Sequence, residues 1–269
     1  MKRIFSEEVG DCRIVIASDG GGFRGVLLRS GKQVDALEGA DLGRLKAALR
    51  NRAGQLHPDY HGIEGTKARF VRYFPSGFDD PHYLTQERNY KDRSRAALAD
   101  AAPLELCLEA DGDLARGCRK ALSTNLLSPF EAARLSELLG SPDGPSFVRA
   151  AASFAVEPEQ RALKAMEAAI RPHGRASWPL FTYLPFFWRP EEHMFLKPTA
   201  TTDFAVRVGH PFSRAYDPGP LVEVYSSLLD LVETTRSRIS ELRPKDRIDV
   251  QSFIWVVGSY TDKELPPMS

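Results

Sequence analysis

Cysteine is scarce: Cys12, Cys107 and Cys118 are the only three in 269 residues, an odd number with no CxxC spacing. That argues against a disulfide framework and against a cysteine-based structural zinc site. Long apolar runs are missing as well. No stretch reaches the roughly 18 to 20 uninterrupted apolar residues that span a bilayer. The start, Met1 to Glu8, turns acidic after two basic residues instead of entering the apolar stretch of a signal peptide. The expectation is a cytoplasmic chain without membrane contact. Charge of one sign is not in excess either: 36 Lys and Arg balance 36 Asp and Glu, so no overall field draws the molecule to nucleic acid or anionic lipid. Any electrostatic preference must be local.

The familiar catalytic signatures are absent too. Gly20-Gly21-Gly22 lacks the GxxxxGK[ST] pattern and leads into a predicted strand rather than a helix, so it does not cradle a phosphate. There is no GxSxG elbow, internal repeat or low-complexity tract. No cofactor is indicated, no residue is assigned a catalytic role, and the oligomeric state leaves no trace.

What is present is enough for a full core, with 42% apolar and 27% charged residues. Three extended segments, Cys12 to Ala17, Phe23 to Leu28 and Gln33 to Leu37, are separated by Gly-bearing breaks that suit hairpin turns, and they predict a three-strand β-meander. Asp41 then caps a helix whose Leu42, Leu45, Ala48 and Leu49 form an apolar stripe, with Arg44, Lys46, Arg50 and Arg52 on the other face. So small a sheet needs cover, so this helix is expected to pack across it. Residues 1–55 thus read as a β-β-β-α unit and 56–269 as a helical domain, with a softer break near Pro172-His173-Gly174. The fold class is α+β, mainly α.

In the helical part, spans are expected at Thr66 to Tyr73, Tyr83 to Ala101, Asp113 to Leu122, Pro129 to Leu139, Ser146 to Phe154, Pro158 to Ile170 and Leu221 to Leu242. Ser128-Pro129 supplies a capping hydroxyl before a proline at the first helical position. The run from Asp246 to Gly258 does not reveal its period and is read as a helix. Trp178, Phe181, Phe186, Trp188, Leu228, Leu231, Phe253 and Trp255 are the predicted core.

Four constellations carry possible chemistry. The segment from Arg44 to Arg95 holds eleven basic residues against six acidic ones, interleaved with seven aromatics. Cations neutralise phosphates and aromatics stack on bases, so Arg69, Arg72, Arg88, Lys91 and Arg95 are the candidates for a nucleic-acid face. The same composition also reads as core aromatics and a solvated stripe. His57-Pro58-Asp59-Tyr60-His61 has two imidazoles four apart, but lacks the Glu and third ligand of a zincin, and no metal is assigned. The eleven residues Trp178 to Trp188 hold six aromatics and two prolines. They read as core, with Pro185 breaking or kinking any helix. With Glu192, His193, Lys197 and Asp249, this wall would line a pocket against the run from 246 to 258, His193 being its natural acid or base. Asp246, Asp249 and Gln251 suit magnesium, although helix capping explains both aspartates more simply.

Three function classes follow: a non-catalytic binding or adaptor protein whose partner is nucleic acid, an enzyme or small-ligand protein using the 178–197 pocket, and a protein-interaction subunit of a larger assembly.

Overall fold

A computed structural model of the protein describes residues 2–18, 20–56, 60–122 and 125–261. The chain is mainly helical and opens with an antiparallel sheet of four strands, not three, in the order β1-β2-β3-β4. The strands are β1 Lys2–Val9, β2 Cys12–Ser18, β3 Phe23–Arg29 and β4 Lys32–Gly39. The extra strand, β1, lies at the sheet edge and four of its eight residues are charged, so it carries no clean two-residue alternation. It is a strand because β2 gives it a ladder, from Lys2 opposite Ser18 to Val9 opposite Cys12. Its turn is Gly10-Asp11, with Gly10 at φ +60°, a conformation that costs glycine little.

Residues facing one side of the sheet, Val9, Cys12, Ile14, Ile16 and Leu27, are buried against Leu45, Leu49 and Ala53 of α1 (Leu42–Gln55). Asp41 caps this helix as its position predicts, accepting the Arg44 amide at 2.7 Å. The basic face of α1 turns partly back onto the sheet. Arg50 grips Glu7 through two hydrogen bonds of 2.8 Å, and Lys46 Nζ sits 3.9 Å from the centre of the Phe5 ring.

The helix approaches closely enough to explain a glycine in the middle of β3. A Cβ on Gly25 would fall 2.2 Å from Leu49 Cδ1. Gly25→Ala is therefore expected to overpack this core and lower stability by about 1 to 3 kcal/mol. Urea denaturation measures it; an unchanged midpoint would mean that Leu49 swings aside freely.

By backbone proximity the chain forms two units. The first comprises Met1–Tyr73, Thr199–Tyr216 and Val257–Ser269, and the second comprises Phe74–Pro198 and Asp217–Val256. The first adds α2 (Gly62–Tyr73) to the sheet and α1. In the second, Pro81–Tyr83, a wider π turn at Leu84–Arg88 and Asn89–Ala101 run on as one helix, α3. It is followed by α4 (Gly112–Cys118), α5 (Pro129–Gly140), α6 (Gly144–Val156), α7 (Gln160–Ile170) and α8 (Trp178–Trp188). Then come α9 (Pro198–Val208) and α10 (Phe212–Ala215), which belong to the first unit from Thr199 on, and α11 (Val222–Arg238) and α12 (Arg247–Ser259). The ambiguous C-terminal run is thus helical. Ser128 and Glu131 close a full capping box at the start of α5.

The aromatic run forms α8 in spite of Pro185, which lies inside the helix. Burial outweighs the lost amide, since every residue from Trp178 to Phe187 is buried. The polar tips find partners, as buried aromatics require: Trp178 Nε1 donates to Asp217 O at 2.7 Å, Tyr183 Oη to Ala121 O at 2.8 Å and Trp188 Nε1 to Ala102 O at 2.9 Å. Six of the eight predicted core residues are fully buried; Trp188 and Trp255 are half-buried.

Candidate functional site

Arg88 and Lys91, two of the expected nucleic-acid contacts, point inward. The π turn of α3 sets Tyr83, Glu87, Arg88 and Lys91 against the start of α12. There Arg88 Nη1 and Nη2 donate to both oxygens of Asp246 at 2.8 Å, Nη1 also to Asp249 Oδ1 at 2.9 Å, and Nε to Asp92 Oδ2 at 2.9 Å. Tyr83 Oη donates to Asp249 Oδ1 at 2.5 Å. Asp249 Oδ2 accepts the Lys245 amide at 2.8 Å, while Asp246 Oδ1 accepts the Ile248 amide at 2.9 Å and so caps α12. Lys91, fully buried, donates to Glu87 at 3.0 Å and to Ser252 Oγ at 2.7 Å.

Each group's affinity for protons follows from these neighbours. Burial works against the Arg88 charge, but hydrogen bonds to Asp246 and Asp92 overcome it and hold the proton more tightly than usual. Burial pulls Lys91 below the ordinary lysine value, with Glu87 opposing. Burial and the Asp249 carboxylate push the Tyr83 phenol well up. The carboxylates that suited magnesium thus receive a guanidinium, and no group of three or more His, Cys, Asp or Glu fit to hold a metal occurs among the described residues. Guanidinium and ammonium groups enclosed in this way present nothing to a phosphate.

The other three basic candidates differ from these. Arg95 is partly exposed and pairs with Glu191 at 3.0 Å. In the first unit Arg69 Nη2 donates to Tyr260 O at 2.5 Å, and Arg72 is exposed. His57, Pro58 and Asp59 lie outside the described residues, while His61 Nε2 sits 2.6 Å from Arg207 Nη1.

The pocket expected around 178–197 finds its four residues in separate surroundings. Glu192 is exposed and paired with Arg189. Lys197 donates to Leu126 O at 3.0 Å and lies 5.8 Å from the centre of the Trp255 ring. Asp249 belongs to the buried cluster. His193 is a core residue, 1% exposed. Its Nε2 lies 2.9 Å from Ala155 O, which only accepts, so the ring proton is there. Nδ1 then accepts from Tyr225 Oη at 2.9 Å, and Tyr225 Oη accepts the Met194 amide at 3.1 Å. The relay is complete with a neutral imidazole, and burial lowers His193 to a pKa of about 4.

Ser141, His173 and Glu137 follow the order of a hydrolytic triad at the surface, with Ser141 Oγ 3.2 Å from Nε2 and Nδ1 3.5 Å from Glu137. Their hydrogen bonding differs from a triad's. Nε2 also faces Asp143 Oδ2 at 3.1 Å, to which only its N–H can donate, and the Ser141 hydroxyl gives its proton to Leu138 O at 2.8 Å. The imidazole has no lone pair turned to the serine.

A concave site is found instead in the first unit. A cleft of about 440 Å3 is lined by Val9, Gly10, Asp11 and Arg29 of the sheet, by Ala53, Gly54 and Leu56 at the end of α1, and by Ala205, Val206, Gly209, His210, Ser213 and Arg214. That size lies in the range of small-molecule sites. Gly209 is required where α9 gives way to α10: its φ is +66°, and a Cβ would fall 2.9 Å from Arg50 O and 3.1 Å from Gly54 Cα. This close approach brings His210, Ser213 and Arg214 beside the Gly10-Asp11 turn. Arg29 Nε donates to Asp11 Oδ2 at 2.7 Å, which holds the Asp11 carboxyl below its ordinary value. His210 Nδ1 accepts the Phe212 amide at 3.2 Å, which leaves the ring proton on Nε2.

None of these lining residues was a candidate on sequence grounds. The Gly10-Asp11 and Gly209-His210-Pro211 turns are visible as turn signals, but nothing in either says that they meet. Comparison with protein-family models, curated proteins and solved structures finds no match to the chain.

Proposed function

We propose that this chain is a non-catalytic binding protein that takes a small ligand into the cleft of its first unit. One observation carries the reading. The groups that would do chemistry elsewhere, Asp246, Asp249, Lys91 and His193, are buried and saturated by internal partners, whereas the cleft turns charged and polar side chains toward open space. Nucleic-acid contact, suggested by the basic segment, has Arg72 and Arg95 left at the surface to support it, and it enters the same test as a separate arm.

The test is thermal unfolding of the full chain with a panel of neutral, cationic and anionic small molecules, repeated on Ser213→Trp, whose indole fills the cleft. A ligand at a hundred times its Kd adds about 2.7 kcal/mol of stability, a rise of several degrees in Tm. The expected result is at least one compound that raises the Tm of the natural chain and leaves Ser213→Trp unmoved. Equal shifts in both proteins, or none with any compound, overturn the reading. In the nucleic-acid arm, a single-stranded oligonucleotide titrated over a salt series would show affinity falling with salt if phosphates are contacted.

A further inference from the structure

Building on the reading of the cleft as a ligand site, we infer that its ligand carries a singly charged oxyanion, a carboxylate or a phosphodiester, bound by Arg214 beside Arg29. The rest of the ligand packs on Leu56 and Val206.

Charge is the first argument. Among the described lining residues the ionised groups are Arg29, Arg214 and Asp11. Two positive charges and one negative leave an excess of one, His210 being neutral with an amide donating to its Nδ1. A single negative charge on the ligand completes the balance.

Geometry is the second argument. Arg29 is already held by Asp11 at 2.7 Å, which fixes its guanidinium at the cleft wall. The Arg214 amide donates to Pro211 O at 2.9 Å, but its guanidinium makes no hydrogen bond or ion pair among the described residues, and the residue is exposed. A guanidinium offers five donors in a planar fork that matches carboxylate or phosphate oxygens two at a time. Beside a fixed Arg29, Arg214 supplies the second half of an oxyanion clamp.

The wall is the third argument. Gly10, Gly54 and Gly209 contribute only backbone, and the side chains between them are the small or aliphatic Val9, Ala53, Leu56, Ala205 and Val206. Val9, Ala53 and Ala205 are buried, so a ligand body meets Leu56 and Val206 beside the glycine backbone.

The experiment uses the full chain and three probe classes: singly charged anions (an aromatic monocarboxylate, and a cyclic mononucleotide as the phosphodiester), neutral nucleosides, and a polyamine. Binding is read by calorimetric titration on the natural chain, Arg214→Ser, Arg214→Lys and Ser213→Trp, with circular dichroism confirming that each variant is folded. The expected outcome is that only the anion class binds, that Arg214→Ser weakens it tenfold or more, and that Arg214→Lys retains part of it. The carboxylate and the cyclic mononucleotide separate the two sources of the oxyanion. If neutral or cationic probes bind, survive Arg214→Ser and are lost in Ser213→Trp, the cleft is a ligand site but the oxyanion inference is wrong. If no probe of any class binds, the ligand-cleft reading falls, and the inference with it.

Discussion

Asp249→Ala is expected to lower the unfolding free energy by about 3 to 5 kcal/mol, since it removes a buried carboxylate that three donors share, and a hydrogen bond to a charged group contributes about 1.5 to 3 kcal/mol. Asp249 is 1% exposed. It is the common acceptor for Tyr83 Oη, Arg88 Nη1 and the Lys245 amide. Without it the Tyr83 hydroxyl is left buried without this acceptor, Arg88 keeps Asp246 and Asp92, and the turn into α12 loses its tie. Guanidinium denaturation, followed by far-ultraviolet circular dichroism and by tryptophan fluorescence, measures the loss. A change below about 1 kcal/mol would show that the cluster contributes little or that water replaces the carboxylate. The informative companion is Arg88→Met combined with Asp249→Leu. Asp246 loses its guanidinium in Arg88→Met and in the double variant alike, while the bond between Arg88 and Asp249 is lost only once in the double, so the double variant is expected to lose less stability than the sum of the singles. If the two losses simply add, the proposed coupling is absent.

Mild acid is expected to destabilise the protein through His193. Its value falls from 6.5 to about 4 in the folded chain because burial penalises the imidazolium. Between these two values the unfolded chain binds the proton and the folded chain does not, so stability must decline as pH drops. The loss begins near pH 6.5 and is complete below about pH 4. It amounts to roughly 3 kcal/mol, since each pKa unit is worth about 1.4 kcal/mol. Carboxylates also titrate in the lower part of this window, so the His193 share is isolated by comparison with His193→Gln. The stability difference between the two proteins should shrink by roughly that amount from pH 7 to pH 4. A difference that stays constant with pH would mean that the imidazole is already charged, or solvated, in the folded state.

His193 also shows where the reading of residues alone stops. A histidine following an aromatic run, with two glutamates before it, fits a catalytic acid or base as well as a core residue. What separates the two is the Ala155 carbonyl and the Tyr225 hydroxyl, each more than thirty positions away along the chain. Arg88 and Lys91 tell the same story more sharply. Both occur in a polar helix that looks solvent-facing, and Glu87 and Asp92 of that helix together with the carboxylates and hydroxyl at the start of α12 make their burial tolerable. The π turn contributes as well, because an extra residue in one turn rotates the side chains that follow relative to a regular helix.

Helices fared better because their signals are short. Asp41, Ser128 and the proline at 129 act on amides within three residues of themselves, and they start α1 and α5 as their chemistry requires. The stripe from Val224 to Thr235 likewise places α11. The missed strand β1 marks the opposite case. A charged edge strand gains its structure from a neighbour's hydrogen bonds, and no property of Lys2 to Val9 alone supplies that neighbour.

What local chemistry settled, then, is the class: helices opened by caps and prolines, hairpins turned at glycine, and an amphipathic helix to cover a small sheet. Packing alone decided which charges are spent inside and which remain for a ligand. Asp11, Arg29 and Arg214 occupy one cleft because the backbone at Gly54 and Gly209 can approach to contact. That approach depends on three-dimensional closeness between segments about 150 positions apart. Composition and periodicity act over a few residues, and they carry no information about it.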